Sequence, residues 1–272
     1  MNIDLNRLFS VEGRSVVVTG GASGIGFAVA DTLTDRGANV TVLDRDRQKL
    51  DRAVEKLSGR AGKVRGATCD VKDSEKLRRE FDAAAEAQDG IDIVFANAGI
   101  GSAMPGSRGF DGSRAPEGEI DSYDLADWDN ILGVNLTGVF LTARAAAGHL
   151  KRKGWGRLII TSSEMALKNS AIIGTSYMVS KAGVAHLARN LALELAPHRI
   201  TVNAIAPGAF ETDISGGALH DPAIRDMISA GVPLGRVGQT EDLTGLILFL
   251  ASPASDYMTG AHISIDGGST IR

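Results

Sequence analysis

Seven short runs of β-branched and apolar residues alternate along the chain with longer amphipathic segments, and this alternation restricts the possible folds more than any other feature. The runs lie at 15–19, 39–43, 63–68, 91–96, 156–162, 200–206 and 261–265. Nearly continuous apolar character over such lengths is typical of strands buried on both faces of a parallel sheet. The pattern therefore predicts an α/β fold with a doubly wound parallel sheet of about seven strands and helices on both faces.

The segments between the runs have the pattern of helices. The segments at 24–36, 127–150, 176–195 and 242–250 are the clearest, and Gly37 follows the first of them as a helix-ending signal. The chain has 272 residues. Because α/β folds of this length often form one unit, we predict a single domain over residues 1–272.

Composition argues against several classes of function. The net charge of −4 offers no broad basic field for nucleic acid or an anionic membrane. No run of about 18 apolar residues stands out as a membrane span, and the first residues lack the basic start and apolar run of a signal peptide. The single cysteine, Cys69, fits a reducing compartment. We therefore expect a cytoplasmic protein without nucleic-acid or membrane partners.

Two segments interrupt the alternation. Residues 101–119 are rich in Gly, Pro, Ser and charge, and residues 213–235 contain Gly216, Gly217, Pro222 and Pro233. Both should leave the carboxyl ends of strands, where open α/β sheets place their ligands. We predict an extended loop at 101–119, which covers the site or reaches a neighbouring subunit, and a substrate-covering loop at 213–235.

A glycine-rich turn follows the first predicted strand directly. Its sequence is Thr19-Gly20-Gly21-Ala22-Ser23-Gly24-Ile25-Gly26. Glycine permits a tight turn and close approach of the backbone to a ligand, and the next helix offers free N–H groups to a pyrophosphate. The glycine spacing differs from the common G-x-G-x-x-G. The turn predicts a dinucleotide site, and the alternative is a simple strand-to-helix connection.

Asp44 ends the second predicted strand, about 20 residues after the glycines. An acidic residue at this place hydrogen-bonds the adenosine ribose hydroxyls and repels a 2′-phosphate. It therefore favours NAD over NADP. Arg45 and Arg47 lie close by and oppose this preference, and the alternative for Asp44 is a solvated side chain at a strand end.

At this point the chain resembles the short-chain dehydrogenase/reductase family over nearly its whole length. Seven motifs in order carry the resemblance: Thr19-Gly20-x-x-x-Gly24-x-Gly26, Cys69-Asp70-Val71, Asn97-Ala98-Gly99, Asn135 within Gly133–Leu136, Tyr177-x-x-x-Lys181, Pro207-Gly208-x-x-x-Thr212 and Ile265-Asp266-Gly267-Gly268. The resemblance implies a Rossmann fold and a homotetramer, often assembled through the long helices and the C-terminal strand. The catalytic residues it implies are Asn135, Ser163, Tyr177 and Lys181.

The resemblance also implies a set of cofactor-binding residues. They are Gly20, Ser23, Gly24, Ile25, Gly26, Asp44, Asp70, Val71, Asn97, Ala98, Gly99, Tyr177, Lys181, Pro207, Gly208 and Thr212. In such a site Lys181 holds the nicotinamide ribose, and Asn135 holds a water that relays protons from Lys181 to solvent. The alternative for Asn135 is a buried amide that satisfies the backbone.

The residues also suit alcohol oxidation chemically. Tyrosine is a weak base at its usual pKa of about 10, and a nearby cation lowers that pKa. Tyr177 and Lys181 are spaced i, i+4, so a helix places them on one face. Ser163 would hold the substrate oxygen. It lies 14 residues before Tyr177, one more than the family pattern, so Ser162 is the second candidate.

The sequence thus predicts an NAD-dependent oxidoreductase that transfers a hydride between the cofactor and a small secondary alcohol or ketone, such as a polyol, sugar or hydroxy acid. One alternative is an NADPH-dependent 3-oxoacyl-[acyl-carrier-protein] reductase, and another is a non-catalytic dinucleotide-binding regulator. The five histidines lack the spacing of a zinc site, so no metal is predicted. Glu164, beside the serine, either contacts a polar substrate or lies on the surface.

Overall fold

The computed structural model describes residues 4–101, 114 and 116–271. Its centre is a seven-stranded sheet in the order β3-β2-β1-β4-β5-β6-β7, parallel throughout. The strands are β1 (Ser15–Thr19), β2 (Asn39–Asp44), β3 (Val64–Thr68), β4 (Ile93–Ala96), β5 (Gly156–Thr161), β6 (Ile200–Pro207) and β7 (His262–Ile265). The predicted fold class is confirmed, and each strand boundary lies within two residues of the prediction.

Nine α-helices occur in the described part of the chain. They are α1 (Leu5–Leu8), α2 (Gly24–Asp35), α3 (Arg47–Leu57), α4 (Ser74–Ala87), α5 (Leu125–Leu132), α6 (Gly138–Lys153), α7 (Thr175–Leu195), α8 (Pro222–Ala230) and α9 (Thr244–Ala251). A π-helical turn at Gly133–Thr137 joins α5 to α6. Aspartate side chains cap the first turns of α3, α4, α5 and α8 by accepting backbone N–H bonds.

Helices cover both faces of the sheet because the strand side chains alternate between two apolar layers. On one face Val17, Val94 and Leu158 pack with Phe81 of α4 and Leu150 of α6. The other face carries Val16, Val18 and Phe95, which pack with Leu33, Leu50 and Leu250 of α2, α3 and α9. The sheet is therefore buried on both sides, and its strand ends remain available for a site.

The helix over 125–153 corrects one expectation from the sequence. An 18-residue window within it reaches a mean hydropathy of 1.3, which is enough by length and composition for a membrane span. However, 44 % of that window is buried inside the fold. Val139, Ala143 and Ala146 pack in the apolar layer with Leu150, so the core of the protein accounts for much of this apolar character.

The two predicted loops differ in content. Residues 213–235 contain a 3₁₀ helix at Ile214–His220 and all of α8, so this segment is largely helical. Most of 101–119 lies outside the described residues. From its described part, Arg114 donates to Thr175 Oγ1 at 2.7 Å and to Ser170 O at 3.5 Å. The end of this loop thus contacts the segment that leads into α7.

Candidate active site

Polar residues meet where the strand order reverses, between β1 and β4, which is where open α/β sheets bind ligands. Thr19 Oγ1 accepts the backbone N–H groups of Asn97 at 3.2 Å and Ala98 at 3.3 Å. The Asn97 amide donates to Gly20 O at 3.2 Å, and its oxygen accepts from Thr161 at 3.0 Å. Asn97 therefore fastens the glycine turn to the ends of β4 and β5, and its side chain is fully engaged within the protein.

The glycine-rich turn opens the start of α2. Gly20 and Gly24 have φ of +64° and +52°, which favour glycine, and a Cβ on Gly26 would lie 2.1 Å from Gly20 O. Ser23 makes no side-chain cap bond. The first helical bond runs from Phe27 N to Ser23 O. The N–H groups of residues 24–26 therefore have no partner among the described residues, as a pyrophosphate site requires.

Two acidic residues stand at the ends of the strands next to β1, since Asp44 ends β2 and Asp70 follows β3. Asp44 accepts Ala22 N at 3.2 Å through one oxygen and Asp46 N at 3.0 Å through the other. Asp70 accepts Lys72 N at 2.9 Å. Val71 is buried against Gly138 of α6, where a Cβ would lie 2.6 Å from Val71 Cγ2. These contacts hold the two carboxylates in place beside the turn.

The segment after β6 lies above the glycine turn. Pro207 ends β6, and Gly208 crosses Asp266 so closely that a Cβ would lie 2.8 Å from its Cα. Thr212 methyl and β-carbons lie 3.3 Å from the Cβ position of Gly24. Free helix N–H groups below and a covering segment above make a cradle that fits a dinucleotide.

Lys181 is buried beneath this cradle. Its Nζ donates to Thr161 O at 2.9 Å, the only hydrogen-bond partner it has among the described residues. Burial lowers the pKa of the Lys181 ammonium to about 8. A Cβ on Gly99 would lie 3.5 Å from Nζ. Because an ammonium has three donors, two remain for groups that enter the groove, and ribose hydroxyls fit them.

Tyr177 and Ser163 are neighbours, close enough for the serine hydroxyl to lower the pKa of the phenol, and Lys181 Nζ lies 5.6 Å from the centre of the tyrosine ring. The expectation that Lys181 lowers the phenol pKa is not met. Burial raises the pKa of Tyr177, the hydroxyl of Ser163 lowers it, and the charge of Glu164 raises it further. Burial outweighs the neighbouring groups in this structure.

Asn135 belongs to the π-helical turn and is fully buried. Its side-chain oxygen accepts Ile100 N at 2.8 Å, and its amide donates to Ile100 O at 2.9 Å and to Ser180 Oγ at 3.3 Å. The side chain thus clamps the backbone beside Gly99 above Lys181. This contact is the backbone-satisfying role that the sequence left open.

The structure separates the two candidate serines. Ser162 donates to Lys181 O at 2.9 Å and is buried. Ser163 faces Tyr177 and begins the 3₁₀ helix Glu164–Ala166 by accepting Met165 N at 3.2 Å. Neighbouring residues at the end of a strand point to opposite sides, so Ser163 lies beside Tyr177 and Ser162 does not.

This separation predicts opposite effects for two matched variants. We expect Ser163→Ala to lower kcat by about 100-fold, the usual cost of losing one donor to a developing charge, with little change in Tm. Ser162→Ala should keep kcat within about threefold but lose a buried hydrogen bond of about 1 kcal/mol, which lowers Tm by about 2–4 °C. Steady-state kinetics and thermal melts test both, and the reverse assignment would show that Ser162 meets the substrate.

Several residues at the site were not identified from the sequence. Thr161 holds Lys181 through a backbone carbonyl, which carries no signal in its residue type. Lys49 of α3 pairs with Asp213 at 3.4 Å and joins the region near Asp44 to the segment after β6. Lys168 pairs with Glu164 at 3.0 Å and donates to Ser269 O at 3.3 Å. These contacts join distant parts of the chain, which local patterns do not reveal.

Known proteins are similar to this chain in sequence. A family model described as enoyl-(acyl carrier protein) reductase matches residues 20–270. A sorbose reductase of Schizosaccharomyces pombe is 33 % identical over 271 residues, 98 % of this chain and 100 % of that protein. A 3-oxoacyl-[acyl-carrier-protein] reductase of Aquifex aeolicus is 31 % identical over 259 residues, 95 % of this chain and 98 % of that protein.

Solved structures agree in fold and in family. A short-chain type dehydrogenase/reductase from Mycobacterium marinum superposes with a TM-score of 0.88 at 36 % identity, covering 99 % of this chain and 100 % of its own. A gluconate 5-dehydrogenase from Burkholderia cenocepacia, in complex with NADP and tartrate, superposes with a TM-score of 0.87 at 31 % identity. The match covers 99 % of this chain and 100 % of that protein's chain. On sequence and fold alike, the chain belongs to the short-chain dehydrogenase/reductase family of oxidoreductases.

Proposed function

We propose that the protein is an NAD-dependent dehydrogenase that oxidises a small secondary alcohol, or reduces the matching ketone. The observation that carries this proposal is the Ser163–Tyr177 pair beside the buried ammonium of Lys181, at the edge of the glycine-rich cradle. These side chains supply a proton acceptor, a donor to the substrate oxygen and a cation within one small volume.

Each residue has a separate task in this proposal. Bound NAD supplies the hydride acceptor. Tyr177 takes the hydroxyl proton as the alcohol is oxidised, and Ser163 donates to the substrate oxygen and holds it beside the phenol. Lys181 uses its free N–H groups to hold the nicotinamide ribose. Asn135 fixes the backbone at Ile100 above that ammonium.

NAD rather than NADP is supported by the charges near Asp44. Its carboxylate is fixed by Ala22 N and Asp46 N where the ribose hydroxyls would lie. Arg47 is engaged elsewhere, because its Nε lies 2.8 Å from both carboxylate oxygens of Asp51. Arg45 is the remaining nearby arginine. The fixed carboxylate of Asp44 therefore gives a 2′-phosphate little net attraction.

A panel assay tests the proposed function. Reduced nicotinamide absorbance is followed with NAD and with NADP over polyols, sugars, hydroxy acids and cyclic alcohols, and with NADPH over a 3-oxoacyl thioester. We expect turnover of small alcohols with NAD. The Aquifex relative makes the acyl reductase the second candidate, and preferential reduction of the thioester with NADPH would establish it instead. Binding of NAD without turnover of any substrate would indicate a regulator.

We further propose a homotetramer assembled through α6 and α7, in the cytoplasm as expected from the sequence. Phe140 of α6 is 47 % exposed and Leu193 of α7 is 81 % exposed. Large apolar side chains exposed on long helices are suited to pairing across a two-fold axis. Sedimentation at micromolar protein with NAD should give a species of four chains, and a monodisperse monomer would refute this assembly.

A further inference from the structure

A buried carboxylate stands directly beside the proposed catalytic pair. Glu164 follows Ser163 in the chain, and only 8 % of the residue is exposed. It lies close enough to Tyr177 for its charge to raise the pKa of the phenol. The mechanism proposed above gives Glu164 no task. A charged group buried at such a place is costly unless something binds it.

The protein satisfies this carboxylate only in part. Oε2 lies 3.0 Å from Lys168 Nζ, yet this fully buried oxygen accepts no hydrogen bond of acceptable geometry from the described residues. A carboxylate accepts up to about four hydrogen bonds. Glu164 therefore has acceptor capacity, next to the proposed catalytic pair, that the described part of the chain does not use.

Two cations beside this segment already have partners in the protein. Lys168 has three donors, and its Nζ contacts Glu164, the backbone oxygen of Ser269 and the hydroxyl of Ser269. Arg114 donates to Thr175, Ser170 and Gly118. A substrate carboxylate placed near Glu164 would thus meet a like charge and would compete with it for the ammonium of Lys168, whereas a hydroxyl would find an acceptor.

We propose that Glu164 is a specificity-determining residue whose carboxylate accepts a hydrogen bond from a substrate hydroxyl near the reacting carbon, and that it selects neutral polyols and sugars over sugar acids. This inference rests on the proposed dehydrogenase function and narrows it to one substrate class. Glu164 acts on the choice of substrate, while Tyr177 and Ser163 act on every substrate alike.

The test compares matched substrates in wild type and in Glu164→Gln. We would measure kcat/KM with saturating NAD for three hexitols, for the aldonates of the same carbon skeletons and for cyclohexanol. Wild type should favour the best hexitol over its aldonate by at least about tenfold. The variant should lower this ratio at least about tenfold, because a neutral amide accepts a weaker hydrogen bond than a carboxylate and no longer repels the aldonate. The kcat/KM for cyclohexanol, which has no second hydroxyl, should change less than about threefold.

Glu194→Gln is the control, since Glu194 also pairs with a lysine, Lys151, at 3.3 Å but stands at the far end of α7. It should leave the hexitol-to-aldonate ratio unchanged. The inference would be overturned if Glu164→Gln lowered kcat/KM equally for all three substrate types, or if the wild type preferred aldonates. Either result would leave the proposed dehydrogenase function standing. The wild-type ratio decides this even if the variant does not fold. Absence of turnover on every alcohol with either cofactor would overturn both.

Discussion

Replacement of Tyr177 by Phe should lower kcat at least 100-fold while NAD affinity stays within about threefold. The change removes the hydroxyl that accepts the substrate proton and keeps most of the packing of the ring, and general acid–base groups contribute about 10²–10⁴-fold. Stopped-flow or steady-state turnover gives kcat, and fluorescence titration gives the Kd for NAD. Loss in kcat alone would place the effect on the chemical step.

Tyr123→Phe is the matched control. Its hydroxyl lies 2.7 Å from the Oγ of Ser176, which is at the start of α7 and precedes the proposed catalytic residue Tyr177 in the chain. This variant loses a tyrosine hydroxyl bound to the same helix and should keep kcat within about threefold, since it removes one hydrogen bond of about 1 kcal/mol from the fold. If Tyr177→Phe retained more than a third of the wild-type activity, the proposed mechanism would be wrong.

Cofactor choice should depend on Asp44 by a similarly large factor. We expect kcat/KM for NAD to exceed that for NADP by about 10- to 1000-fold, because each hydrogen bond to a charged group is worth about 1.5–3 kcal/mol and a 2′-phosphate adds repulsion. Asp44→Ala should reduce this ratio, because it weakens the binding of NAD and removes the repulsion between the carboxylate and the 2′-phosphate of NADP. The ratio of kcat/KM values, measured at one ionic strength, reports the change.

Asp35→Ala supplies the comparison for this prediction, because Asp35 is an exposed aspartate at the end of α2 that pairs with Arg60 at 3.3 Å. It should not alter the cofactor ratio. A wild-type ratio near one would mean that Arg45 and Arg47 outweigh Asp44. A preference for NAD that persists in Asp44→Ala would place the selectivity elsewhere, for example in the segment after Asp70.

The sheet was predictable because its strands are nearly uniform apolar runs, and β1 at Ser15–Thr19 matches its prediction fully. Helices α3 and α4 were predicted only as segments between strands, without bounds, because at least half of their residues are charged and only one narrow face is buried. Helix α8 lies within the segment predicted as a loop, because Gly and Pro residues occur at both of its ends. Composition thus identified deeply buried elements better than elements at the surface.

The site was predictable in its residues and less so in their contacts. Tyr177 and Lys181 share a helix, so their spacing alone placed them together. The choice between Ser162 and Ser163 needed the direction of each side chain at the end of β5. The contact of Lys168 with Ser269 spans 101 positions, which no local pattern contains. The pKa of Tyr177 likewise depends on burial by the whole fold.

The ion pair between Lys49 and Asp213 has a consequence for the rate at which the cofactor leaves. It joins α3 to the segment that lies above Gly24, so the pair must open before that segment can swing away. Both side chains are exposed, at 40 % and 59 %, so the pair is worth about 1 kcal/mol or less, which is at most about fivefold in a dissociation rate. Salt screens exposed charges, and high ionic strength should therefore speed NADH release and raise turnover wherever that release limits it.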